Sequence, residues 1–218
     1  MIDKFVPTLA DAMAGIQDGA TVMAAGFGPG TPATLMQGLA QQGARDLTLV
    51  MNAGGRDDGP IAELLKTGHV RKLICSFVRA DSIAGRQFAA GDLDIEIVPQ
   101  GTLAERIRAA GAGVQAFFTP TAADTILAEG RETRIINDRL CLLEYPISAD
   151  VALIDAWQAD RFGNLTHRDS ARNFNPIMAM AAKTTIVQTA HVVELGAIPP
   201  EHVHTAGVFV RRVLHVPA

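Results

Sequence analysis

Short apolar runs alternate with amphipathic stretches along the first half of the chain. Residues 8–16 place Leu9, Met13 and Ile16 on one helical stripe, with Asp18-Gly19 as its stop. Residues 21–25 form a continuous apolar run that ends in Gly26-Phe27-Gly28-Pro29-Gly30. Pro32 then suits the first turn of a helix carrying Leu35, Met36 and Leu39. The rhythm repeats as strand 47–52, helix 60–66, strand 71–77, helix 81–90, strand 95–98 and helix 102–110. Strands that are apolar on both faces and alternate with helices predict a parallel sheet covered on each side.

From residue 116 the rhythm changes. Residues 134–136 and 140–143, joined by Asn137-Asp138-Arg139, predict an antiparallel hairpin. Residues 151–154 predict another buried strand, 160–164 a turn, 171–181 a helix with Met178 and Met180, and 185–188 and 208–213 later strands. No linker, repeat or low-complexity tract divides the chain. The expected fold class is therefore α/β: an open, mostly parallel sheet flanked by helices, with an antiparallel hairpin extension, as a single domain over residues 1–218.

Composition narrows this picture. Hydrophobic residues are 48% of the 218 and aromatics only 5%, so the core must be built from Ala, Val, Ile and Leu. A net charge of −4 argues against a nucleic-acid binder, which needs a basic face. The mean hydropathy of +0.18 is high for a free monomer and suggests apolar surface covered by a second chain. Cys75 and Cys141 sit inside apolar runs, as buried structural thiols do, and make no disulfide framework. The first residues lack a signal-peptide pattern, and no apolar run of about 18 residues exists, so a cytoplasmic location is expected.

Candidate chemistry gathers at strand ends. The glycine run follows a strand and precedes a helix, a setting that favours an anion. Its spacing is Gly26-x-Gly28-x-Gly30 rather than G-x-G-x-x-G, Pro29 removes a donor, and Asn52 stands where a nicotinamide fold needs an acid. A tight structural turn is the plainer alternative. Asn52-Ala53-Gly54-Gly55 and Pro99-Gln100-Gly101-Thr102 close two further strands. In open α/β sheets, ligands bind outside such carboxyl ends. Their amides suit the orientation of a carboxylate or carbonyl, and serve equally to satisfy loop backbone. His202 and His204 have no further ligand at metal spacing, so no metal site is expected. Glu105 predicts an ion pair with Arg106 or Arg108, and Glu144, before Tyr145-Pro146, predicts a surface position. No nucleophile and base are apparent.

These runs, in this order, are similar to the A (alpha) subunit of family I CoA-transferases of the 3-oxoacid and 3-oxoadipate type. The resemblance is carried by Asp18-Gly19-Ala20-Thr21-Val22 leading into Gly26-Phe27-Gly28, by Asn52-Ala53-Gly54, and by the stretch from Val98 to Ala109 through Gln100-Gly101-Thr102. Gly111-Ala112-Gly113, Phe117-Phe118-Thr119-Pro120-Thr121, the stretch from Ala156 to Asn164, and Ser170-Ala171-Arg172-Asn173-Phe174-Asn175 complete it. The resemblance implies a CoA-transferase-like fold and CoA transfer from an acyl-CoA such as succinyl-CoA to a 3-oxoacid such as 3-oxoadipate or acetoacetate. It further implies that the covalent glutamate comes from a partner B (beta) subunit in a hetero-oligomer, leaving no catalytic nucleophile here. No cofactor is implied, since CoA thioesters are the substrates and neither Mg²⁺ nor ATP is needed. Gly26, Phe27, Gly28, Asn52 and Gln100 would then shape and polarise the acyl pocket, with Gln100 orienting a substrate carboxylate.

Departures from the family pattern fall in the same loops. The segment Ala25 to Pro32 is one residue short, Met51 replaces a usual Asn, and Thr121-Ala122-Ala123-Asp124-Thr125 lacks two glycines. They imply a remodelled acyl pocket on an unaltered architecture. The rival expectation is a sugar-phosphate isomerase or ligand-sensing module of related fold, which would hold phosphate at the helix start after Gly28.

Overall fold

The computed structural model describes residues 2–217. The first half runs β1 (Phe5–Val6), α1 (Leu9–Met13), β2 (Thr21–Ala24), α2 (Ala33–Gln42), β3 (Leu47–Val50) and α3 (Pro60–Lys66). It continues as β4 (Val70–Cys75), α4 (Ile83–Ala90), β5 (Asp94–Ile97) and α5 (Gln100–Ala112). The second half holds β6 (Phe117–Thr119), β7 (Thr133–Ile136), β8 (Arg139–Glu144), β9 (Ala149–Ala159), β10 (Leu165–Thr166), α6 (Asn175–Met180), β11 (Ala182–Val192) and β12 (Arg212–His215).

Eight strands form a parallel sheet in the order β1-β12-β11-β9-β2-β3-β4-β5, and β10 adds to β9 antiparallel. From β2 the chain first builds outward through β3, β4 and β5, then returns to β9 on the other side of β2. The switch in direction therefore lies between β2 and β9, and in open α/β sheets ligands bind outside the strand ends near such a point.

The alternation of strand side chains explains the layers. Val22, Leu49, Leu73 and Leu153 face one core with Met13 of α1, Leu35 and Leu39 of α2, and Leu64 of α3. Met23, Val50, Ile74 and Ile154 face the other, against Leu103 and Ile107 of α5 and Met178 of α6. Cys75 is buried in the first core, and that burial pushes its thiol up to about 11. Cys141 is buried as well, so both thiols stand where their apolar runs predict.

The predicted hairpin is present, with Asn137 and Asp138 both at positive φ, as a two-residue type I′ turn requires. It is larger than expected: β6 pairs with β8 and completes a three-stranded antiparallel sheet. The helix expected over 171–181 is a correction. A 3₁₀ turn at Asp169–Arg172 stops at Asn173, and α6 starts two residues later. The Asn173 side chain donates to the carbonyls of Ser170 and Pro29, which holds the break open. The strand expected over 208–213 begins only at Arg212, because Gly207–Phe209 is a 3₁₀ turn.

Glu144 is the second correction. It is 2% exposed rather than at the surface. At the end of β8 it meets Arg131 Nη2 at 2.7 Å and Arg106 Nε at 3.6 Å, and Arg106 also pairs with Glu96. A buried carboxylate needs such partners. They come from the loop before β7 and from α5, which local sequence does not reveal. Glu105 pairs with Arg108 on exposed helix, as its spacing predicts.

Candidate active site

The ends of β2 and β3 frame a cavity of about 220 Å³. Gly26, Phe27, Gly28 and Asn52, all singled out from sequence, line it together with Thr31, Met36, Met51, Arg56 and Ile61. Gln100 does not line this cavity. It joins the site through Asn52, donating from Nε2 to Asn52 Oδ1 at 2.7 Å. Ser76 Oγ, at the end of β4, donates to the same oxygen at 3.2 Å and to the Asn52 carbonyl at 2.7 Å. Three strand ends thus converge on one amide that is 4% exposed. With Oδ1 occupied, Asn52 presents Nδ2 as a donor with no protein acceptor among the described residues.

The glycine loop is held by contacts distant in sequence. Gly26 has φ +106, and a Cβ there would lie 2.6 Å from Thr31 Cα, so no other residue fits. Gly30 has φ +74, and a side chain would meet the carbonyl of Ala171 and Asn175 Nδ2. Asn173 donates to the carbonyl of Pro29 at 2.9 Å and Asn175 to that of Gly30 at 3.1 Å. Asn175 also accepts from the backbone N–H of Asp155 on β9 at 2.8 Å, tying the loop across the switch point. The run Ser170 to Asn175 is therefore a staple for the glycine loop, a role its own pattern does not disclose.

The two helix starts at the sheet edge differ. At α2, the N–H groups of Thr34 and Leu35 both donate to Gln188 Oε1, at 3.1 and 3.3 Å. Gln188 Nε2 donates in turn to Asp155 Oδ1 at 2.9 Å, and burial raises the Asp155 carboxyl above its ordinary range despite that bond. The Thr34 and Leu35 donors are thus spent inside the fold and are not available to the phosphate that the sugar-phosphate reading places at this helix start. At α5, Pro99 precedes the first turn and, among the described residues, no side chain caps it. Space beside Gly101 is open, and the positive helix end stands beside the Asn52–Gln100 pair.

A second polar cluster lies behind the switch. His167 on the loop after β10 contacts the Asp155 carbonyl through Nδ1 and Thr205 Oγ1 through Nε2, both at 3.0 Å. A carbonyl only accepts, so Nδ1 carries the proton and Nε2 takes one from Thr205. Burial is the main reason its imidazole falls to about 4, with His204 and Arg172 adding to it.

The coenzyme A transferase family model matches residues 6–215. The A subunit of 3-oxoadipate CoA-transferase from Pseudomonas putida is 53% identical over 99% of this chain and 95% of its own length. The A subunit of a probable succinyl-CoA:3-ketoacid coenzyme A transferase from Bacillus subtilis is 48% identical over 91% of this chain and 84% of its own. Among solved structures, glutaconate coenzyme A-transferase from Acidaminococcus fermentans superposes with a TM-score of 0.86 at 21% identity, covering 98% of this chain and 76% of that one. The decarboxylase AibA/AibB superposes with 0.82 at 25% identity, covering 99% and 84%, so the fold alone does not choose the reaction. With the family model spanning nearly its whole length, the chain belongs to the coenzyme A transferase family, as one subunit of an enzyme.

Proposed function

We propose that this chain is the A subunit of an enzyme that moves CoA from an acyl-CoA such as succinyl-CoA to a 3-oxoacid such as 3-oxoadipate or acetoacetate. The B subunit supplies the glutamate. The observation that carries the division of labour is the lining of the acyl cavity. Among the described residues it holds glycines, Phe27, two methionines, Thr31, Asn52 and Arg56, with no carboxylate, thiol, imidazole or amine. Thr31 has no general base among the described residues, its hydroxyl proton going to the Gly28 carbonyl at 2.8 Å. Phe27 and Phe77 stand 60% and 61% exposed at the strand ends, the apolar surface a partner chain would cover.

In this reading the partner's glutamate attacks the thioester carbonyl. CoA leaves as thiolate and an acyl-glutamyl anhydride forms. The thiolate then attacks the glutamyl carbonyl, releasing the acyl group as carboxylate and leaving a glutamyl-CoA thioester. The acceptor carboxylate runs the same steps backwards. This chain holds the acyl group beside Phe27 and presents Asn52 Nδ2, its amide held by Gln100, and the start of α5 to oxygens that carry charge. No cofactor enters the scheme.

The test is turnover by the A–B complex. Wild-type complex should transfer CoA from succinyl-CoA to a 3-oxoacid. Gln100→Ala, which leaves Asn52 Oδ1 to Ser76 alone and loosens the Asn52 amide that addresses the charged oxygens, should lower kcat/KM for the acceptor about tenfold, the loss expected when one charge-assisted hydrogen bond from Asn52 is misplaced. A complex inactive on every 3-oxoacid would overturn the proposed substrate class, and an unchanged Gln100→Ala enzyme would overturn the role of Gln100.

A further inference from the structure

Among the described residues, the acyl cavity has one charged residue in its lining, Arg56. Its partner is Asp58, two residues on, with Nε 3.1 Å from Oδ1 and Nη2 3.3 Å from Oδ2. Both side chains stand largely in water, 81% and 73% exposed. A pair of that kind holds its members weakly, so the guanidinium fork is available to another carboxylate.

Arg56 also lines a second cavity of about 520 Å³, with Asp57, Asp58, Arg79, Asp81 and Ser82. There Arg79 forms the same two-bond fork with Asp81, again two residues on. The two cavities meet at Arg56. One is mostly apolar and holds Asn52, bonded to Gln100, and the other is polar and charged. Asn52 and Arg56 share one cavity wall with Met51 and Ile61, so an acyl group whose reacting carboxyl lies by Asn52 has the Arg56 fork in the same cavity.

We infer that Arg56 is the specificity residue for acyl groups bearing a second, distal carboxylate. This rests on the proposed CoA transfer and makes dicarboxylic acids its preferred substrates. The fork matches a carboxylate with two parallel N–H bonds, whereas the methyl end of a monocarboxylic acyl group offers it nothing. Donor and acceptor acyl groups occupy the same cavity in turn, so Arg56 acts on succinyl-CoA and on 3-oxoadipate alike. Acetoacetate gains nothing from it.

The anion met by Arg56 has two sources, the distal carboxylate of the acyl group or a phosphate of CoA. Steady-state kinetics of the A–B complex separates them. In Arg56→Met, the ratio of kcat/KM for 3-oxoadipate to that for acetoacetate should fall about 10- to 100-fold, carried by KM. KM for acetoacetyl-CoA, which lacks a distal carboxylate, should stay within about twofold. Arg56→Lys, which keeps the charge but not the fork, should recover only part of the ratio. Asp58→Asn, which frees the guanidinium, should lower KM for 3-oxoadipate by about two- to fivefold. An unchanged ratio overturns the inference, as does a rise in KM for acetoacetyl-CoA, which would assign Arg56 to a CoA phosphate. If wild-type complex turns over neither 3-oxoacid, the proposed function fails and the inference with it. Turnover of both with no selective effect of Arg56 overturns the inference alone.

Discussion

Gly26→Ala should cost the A–B complex about 100-fold or more in kcat/KM while Gly28→Ala, two residues on, costs less than about tenfold. Both glycines have positive φ, at +106 and +77, so both substitutions carry backbone strain of about 1–2 kcal/mol. They differ in space. A Cβ at Gly26 would lie within 2.8 Å of Thr31 N and 2.6 Å of Thr31 Cα, both backbone atoms, whereas at Gly28 nothing stands within 4 Å. The loop must therefore open at Gly26. The Asn173 and Asn175 bonds to Pro29 and Gly30 resist that opening, so the displacement falls on Phe27 and the cavity wall. A shift of about 1 Å in a positioning element costs on the order of 10²-fold in rate. Equal effects at the two glycines would show that the loop does not set the cavity's shape.

Lowering the pH from 7 to 5 should remove about 2 kcal/mol of folding stability through His167 alone. Its imidazole titrates near 4 in the fold and near 6.5 in an unfolded chain. The folded value is the depressed one, so neutral His167 contributes fully above 6.5. That contribution falls as the unfolded chain takes up a proton below 6.5, and its loss is complete only below 4, at about 3 kcal/mol. Urea unfolding at pH 7 and 5 measures it. His167→Gln will be less stable throughout, having lost a bond to Asp155 or Thr205, yet its stability should change about 2 kcal/mol less over the same interval. Carboxylates whose affinity for protons is lowered in the fold, such as Asp150 and Glu96, act in the same direction at lower pH and are common to both proteins. Asp155, raised by burial, opposes them. Parallel pH profiles for the two proteins would mean that His167 is not buried in its neutral form.

Much of the fold is written locally. Pro60 at the first turn and the apolar stripe after it mark α3, and the apolar runs Leu49-Val50 of β3 and Leu73-Ile74-Cys75 of β4 are buried on both faces. The strand ends that carry Gly26, Asn52 and Gln100 follow from that alternation, and their convergence follows from parallel pairing. What local pattern misses is made by distant partners. Glu144 reads as a surface acid beside Tyr145-Pro146 until Arg106 and Arg131 are placed against it. Asn173 and Asn175 read as helix residues because their acceptors, Pro29 and Gly30, lie over 140 residues away. Gln188 reads as a strand residue, and only the α2 start packed on it shows a cap. Arg56 lies in a polar turn, where a charge draws no notice, and only the cavity wall gives it meaning.

Shaping of the acyl pocket by this chain, with the nucleophile supplied by its partner, is open to one direct measurement. Acyl-CoA is incubated with the purified chain alone and with the A–B complex, borohydride is added, and the reduced residue is mapped. The expected result is no CoA transfer by the chain alone, transfer by the complex, and reduction at a glutamate of the B subunit. Transfer by the isolated chain, or a reduced residue within it, would contradict that division of labour.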